Sequence, residues 1–307
     1  MGMSGFRRAG ITLAAVAAIA GAAGCQSGSG GSGSSDGSSG SEGGKKAGAG
    51  VAAVSPIAAL RTVDQQTDGA KSAKVDGTMM MGPTVSFTMN GALEWTDGVT
   101  GTVDMKYTGG TMADAMKKIG GDGTIKARYL SDAYYANMGD ALAAQMGGKH
   151  WIRYGYEDLS KVMGAAGDVM KDQMQNTTPD KAVKALLASG DVKKVGEDDV
   201  RGVPTTHYSG TVDVAELTQK NSTLDAGQLQ ALKEQLTKAG ITTEKVDIWV
   251  DKNDLLVKKT ESGQLKTGAF NSTVFYSGYG TEVSAEAPPT ADTIDFTKLI
   301  KQQAPAS

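Results

Sequence analysis

Two histidines, His150 and His207, and a single cysteine, Cys25, make up the whole supply of imidazole and thiol in this chain of 307 residues. A nucleophilic triad needs an imidazole between a serine hydroxyl and a carboxylate. Both histidines fall in strand-like stretches, Lys149–Tyr154 and Thr205–Val214, with no Gly-x-Ser-x-Gly elbow around them. Zinc sites draw on Cys and His in numbers that this chain does not have. The acidic run Glu197-Asp198-Asp199, just before Val200-Arg201-Gly202, reads as a solvated turn rather than a calcium loop. Gly120-Gly121-Asp122-Gly123 is followed by no Lys-Ser/Thr pair, so it lacks the parts of a phosphate loop. The expectation is a protein without catalytic residues, metal or cofactor, whose work is done by binding.

Cys25 has a different setting. Arg7 and Arg8 precede a run of fourteen apolar, alanine-rich residues, Gly10 to Ala23, which is a signal peptide in outline. As a helix that run spans about 21 Å, short of the roughly 30 Å hydrocarbon layer. It ends in Ala22-Ala23-Gly24-Cys25, which resembles the bacterial lipobox, although that pattern usually carries Leu where Ala22 stands. The resemblance implies cleavage before Cys25 and attachment of a diacylglycerol, with acyl groups such as palmitate, to its thiol. The mature chain would then be held at the membrane on the extracytoplasmic face.

The formal charge is −3, from 31 basic and 34 acidic residues, and loss of the leader leaves 29 basic residues and −5. This lacks the basic excess of a nucleic-acid binder, and it gains little from anionic headgroups, so acyl chains must hold the chain at the membrane. From Gln26 to Gly50 the chain is almost entirely Gly, Ser and charged residues and cannot offset the entropy of ordering. Such a tether reaches roughly 25–30 Å. The expected organisation is a leader over 1–24, a lipidated Cys25 and tether over 25–50, and one domain over 51–307.

Ser55 and Pro56 can open a helix through Ile57, Leu60 and Val63 that ends near Gly69. Val75-Met79-Met81, then Val85 to Trp95, then Val99 to Tyr107 alternate apolar with polar residues and predict a three-strand meander. A short helix over Met112–Ile119 precedes a hairpin, Thr124–Tyr129 and Ala133–Met138, and a strand at Lys149–Tyr154. Tyr156–Gln175 and Pro179–Ser189 carry apolar residues at helical spacing. Strands are expected again at Val192–Val195, Thr205–Val214, Val246–Val250, Leu255–Glu261 and Ala269–Tyr279, with a helix at Asp225–Ala239 and another at Phe296–Ile300. This order predicts an α+β fold, a curved antiparallel sheet with helices covering one face.

The inward faces of the first strands are rich in Met and aromatics: Met79, Met81, Phe87, Met89, Trp95, Met105 and Tyr107. Methionine suits surfaces that accept irregular apolar shapes, but composition alone does not separate a filled core from a lipid pocket. Three features together resemble the LolA/LolB-like superfamily, and most closely the LppX/LprA/LprF/LprG group of actinobacterial lipoproteins. They are the lipobox with its tether, the segment Val200-Arg201-Gly202-Val203-Pro204-Thr205-Thr206-His207-Tyr208-Ser209-Gly210, and the strand pair Val246–Asp251 and Leu255–Lys259. The resemblance covers about Ser55 to Lys301. It implies an incomplete β-barrel around helices, with an apolar cavity for acyl chains lined by those seven residues and by Tyr129, Leu159, Met163, Met170 and Leu187. The implied function is that of an anchored monomeric carrier that captures a lipid or acylated ligand and moves it across the envelope. The competing reading is an anchored interaction or stress-sensing protein with a filled half-barrel and no enzymatic activity.

Overall fold

The first described residue, Ser55, is extended and its side chain accepts from the Ala58 amide at 3.2 Å, which caps helix α1 (Pro56–Gly69). The computed structural model describes residues 55–175, 178–189, 191–213, 240 and 242–303. The leader, Cys25, the tether and the helix expected over Asp225–Ala239 lie outside them.

α1 buries Leu60 and Val63 as the sequence predicts, and Thr67 with them, whereas Ile57, one turn before Leu60, is 40% exposed. The meander follows as β1 (Ser72–Met81), β2 (Val85–Glu94) and β3 (Thr100–Gly109). After α2 (Gly110–Lys118) come β4 (Thr124–Tyr129) and β5 (Ala133–Asn137). A short helix α3 (Gly139–Ala143), unforeseen in the sequence, leads to β6 (Trp151–Gly155). The long helical stretch divides into α4 (Tyr156–Met163) and α5 (Ala165–Gln175), because Gly164 adopts φ 56° and ψ −136° and stops the first. α6 (Pro179–Ser189) precedes β7 (Lys193–Val200), β8 (Val203–Asp213), β9 (Thr243–Val250), β10 (Leu256–Leu265) and β11 (Gly268–Ser277). A three-residue strand β12 (Thr293–Asp295) and helix α7 (Phe296–Gln303) complete the described chain.

Among the described residues twelve strands form one sheet, in the order β12-β6-β5-β4-β3-β2-β1-β11-β10-β9-β8-β7. Every pairing is antiparallel except the short β12–β6 contact. The acidic run Glu197-Asp198-Asp199 is therefore not a turn. It lies on the edge strand β7, and the turn is formed by Arg201 and Gly202, both at positive φ. Charge on an exposed edge discourages pairing with another chain, and that accounts for three adjacent acids here.

The sheet is curled. β4 and β8 stand seven positions apart, about 33 Å on a flat sheet. Yet Ala127 of β4 and Tyr208 of β8 belong to one buried cluster with Leu60 of α1 and Val183 and Leu186 of α6. The sheet must wrap around those two helices. Gly77 and Gly91 make the bend possible: a Cβ at Gly77 would meet the Thr273 carbonyl oxygen at 2.3 Å, and one at Gly91 the Thr102 oxygen at 2.1 Å. A second cluster, with Met116, Leu159, Met170 and Leu299 from the helices, packs on Ile125, Ala136 and Ile152 of β4, β5 and β6. The α+β class and the curved antiparallel sheet with helices against one face are thus as the sequence predicts.

Candidate ligand-binding face

Strand register places the methionine-rich residues side by side on the inner face. Met79 pairs with Phe87 across β1 and β2, Phe87 with Tyr107 and Met89 with Met105 across β2 and β3, and Met81 with Phe270 across β1 and β11. Phe87 and Tyr107 meet edge to face at 6.2 Å. Met79, Val85, Phe87 and Phe270 form the buried floor of this patch. Met81, Met89, Met105, Tyr107, Met112 and Leu265 pack against it while staying only partly buried. Six large apolar side chains left partly exposed on the concave side are more than a filled core requires.

The inner face continues through aromatics. Tyr129 lies 5.0 Å from Tyr134, Tyr134 lies 5.7 Å from Tyr154, and Tyr154 lies 4.7 Å from Phe296, ring centre to ring centre. Burial pushes the Tyr129 and Tyr154 phenols up to about 12 and raises Tyr107, so these groups are un-ionised at neutral pH.

A small buried polar group adjoins the patch, and the sequence reading missed it. Ser272 of β11 faces Met79, and beside it stand Glu261 and Lys259 of β10 and Glu244 of β9, all buried. The Lys259 ammonium donates to Glu261 at 2.7 Å. Burial first, then the nearby charge of Glu261, pushes the Glu244 carboxyl up to about 8 against the opposing pull of Lys259. Glu244 Oε1 is buried without a hydrogen-bond partner.

The remaining expected lining residues disperse. Leu159 and Met170 are buried in the cluster beneath β4–β6, and Leu187 packs against the main core. Trp95 is buried at the end of the sheet, where its indole donates to the Asp68 carbonyl at 3.2 Å and its ring meets Tyr279 edge to face, apart from the methionine patch. Met163 does not point inward. It is 40% exposed at the last position of α4, because that helix buries Tyr156 and Leu159 and ends before another inward turn is reached.

Both histidines pair with carboxylates among the described residues. His207 stacks on Trp249 at 4.2 Å, and its Nε2 lies 2.8 Å from Asp247. The Ser209 side chain also bonds to Asp247, so the carboxylate, not the imidazole, stands between the two. His150 lies between Asp292 and Asp140 near the β6–β12 edge, and its hydrogen bond to Asp292 raises its pKa. Among the described residues no three His, Cys, Asp or Glu side chains are placed to hold one metal ion, and no helix is long and apolar enough to cross a membrane. The outer side carries a groove of about 460 Å³ whose lining mixes Asp76, Asn90, Lys106 and Arg201 with Met89, Met105 and Phe275. The Arg201 guanidinium bonds Asp76 at 2.6 and 2.9 Å and covers the Phe275 ring, so the β7–β8 turn is strapped across the outside of β11.

An unclosed antiparallel half-barrel with an apolar inner face is the class this chain presents. It is 66% identical over 252 residues to the 31.2 kDa protein encoded in the rplA–rplJ intergenic region of Streptomyces griseus, covering 82% of this chain and 83% of that protein. It is 47% identical over 245 residues to a protein of Streptomyces coelicolor named "Putative lipoprotein", covering 80% of this chain and 76% of the relative. The chain belongs to the family of these two streptomycete proteins. No protein-family model matches it. Among solved structures it is similar to LprF of Mycobacterium bovis, at 13% identity and a TM-score of 0.44 over 76% of this chain and 96% of that one. It is also similar to the lipoprotein LppX of Mycobacterium tuberculosis, at 13% identity and a TM-score of 0.43 over 75% and 98%. Likenesses of that strength decide nothing about what the chain binds.

Proposed function

We propose that the protein is a lipid-anchored, non-enzymatic lipoprotein of the cell envelope that holds the acyl chains of a lipid or acylated ligand against its concave face. The observation that carries this reading is the partly exposed patch of Met81, Met89, Met105 and Tyr107 on the inner side of the sheet. Flexible thioethers conform to acyl chains of different length and unsaturation better than branched side chains do. Each buried methylene contributes about 0.8 kcal/mol, so a sixteen-carbon chain supplies on the order of 10 kcal/mol before ordering costs. Burial of that size offsets what the chain gives up on leaving the bilayer, so a lipid can pass from membrane to protein without covalent chemistry. Acylation at Cys25 and the tether after it would keep the half-barrel within reach of its source of lipid. Native mass spectrometry with solvent extraction of the purified protein tests the reading. Stoichiometric lipid or fatty acid is the expected result; an empty protein that also refuses acyl probes would leave a filled scaffold as the better description.

A further inference from the structure

The inner face contains a run of tyrosines, one of whose hydroxyls no described residue satisfies. Tyr107, Tyr129, Tyr134, Tyr154 and Tyr156 come from β3, β4, β5, β6 and the first turn of α4. The phenols of Tyr129, Tyr154, Tyr107 and Tyr156 all lie close enough to that of Tyr134 to oppose its ionisation. Tyr154 and Tyr156 are 6% and 2% exposed. The Tyr156 hydroxyl is buried with no hydrogen-bond partner. Tyr279, elsewhere on the same sheet, donates to the Leu256 carbonyl at 2.6 Å. A buried tyrosine hydroxyl normally finds such a partner, and the unpartnered Tyr156 donor beside a run of tyrosines calls for an acceptor brought from outside.

We infer that the tyrosine cluster receives the ester carbonyls of a diacyl glycerolipid, with the attached tails lying on the adjoining methionine patch. This rests on the lipid-binding reading above and goes further by assigning where the root of the ligand sits. The chemistry selects the ester. The phenols are neutral donors in an apolar setting, so a neutral acceptor suits them, whereas burying an ionised phosphate or carboxylate there without a cation is costly. Met105 and Tyr107 belong to both the methionine patch and the packing around the cluster, so the two surfaces are continuous.

The test uses the mature chain, residues 25–307, carrying Cys25→Ser so that no acyl group of its own competes. Affinity is compared for a dioleoyl phosphoglycerol and for its dialkyl ether analogue, which has the same tails and headgroup but no carbonyls. The wild-type sequence should bind the ester form about tenfold more tightly, the equivalent of one to two net hydrogen bonds. Tyr134→Phe/Tyr154→Phe/Tyr156→Phe should bind both lipids alike, at the ether level, and Tyr156→Phe alone should lose part of the preference. Ligand-free Tyr156→Phe should melt at or above the wild-type temperature, since it removes a hydroxyl that has no partner among the described residues. Equal wild-type affinity for ester and ether, or a lowered ligand-free melting temperature with the ester preference intact, overturns the assignment while leaving lipid binding standing. Failure of the wild-type chain to bind either lipid overturns both readings.

Discussion

Single side chains in this protein are decided by which face they occupy, and two of them offer sharp tests. Leu159 is 1% exposed and Met163, one helical turn later, is 40% exposed. Leu159→Ala should cost about 2–5 kcal/mol in denaturant unfolding, whereas Met163→Ala should stay within about 0.5 kcal/mol. A third test is Glu244. Its carboxyl is pushed up to about 8 in the folded protein from an ordinary value of 4.5, so between those pH values the folded state holds a proton that the unfolded state has released. Stability must then fall as pH rises from about 4.5 to 8, the reverse of the usual carboxylate. Glu244→Gln, with its neutral amide, should flatten that decline, as read from urea midpoints across the window. An unchanged slope would mean that Glu244 is ionised in the folded chain.

At the scale of strands and helices, what could be read in the sequence follows from how local its cause is. α1 is legible because Ser55, Pro56 and the Leu60–Val63–Thr67 stripe all lie within a few turns. β2 and β3 are legible because strict alternation fixes their faces. The methionine patch follows from the same alternation. Tyr134 and Tyr135 are adjacent tyrosines in a short strand, and only the pairing of Ala136 with Ala127 shows that Tyr134 faces inward. Lys259 and Glu261 were missed because charged side chains on a strand read as solvated. Only the Ile248 and Val246 partners on β9 show that they are buried. The break between α4 and α5 depends on the conformation of Gly164, which weak helix propensity hinted at without locating. Curvature is an element-scale property with a direct check: Gly91→Ala drives a methyl group into the Thr102 carbonyl and should cost about 1–3 kcal/mol or more. The outward Thr88→Ala on the same strand should change unfolding free energy little.

For the whole molecule, the expected anchor and the half-barrel are separable. Cys25→Ala should abolish incorporation of radiolabelled palmitate and release the chain from the membrane fraction into the medium. It should leave the melting temperature of the folded part unchanged, because Cys25 lies outside the described fold. Retention of label in Cys25→Ala would place acylation elsewhere. The sheet ends at β7 on one side and β12 on the other, and these two edges are not paired with each other. A closed barrel has a circumference fixed by its hydrogen-bond ladder. An open seam has no such constraint: its two margins can part or approach by small changes of twist shared among the strands, with no ladder bond broken. On the proposed lipid-binding reading, ligands of different girth would be gripped by one sequence, and selectivity would come from fixed polar groups along the wall rather than from the size of the chamber.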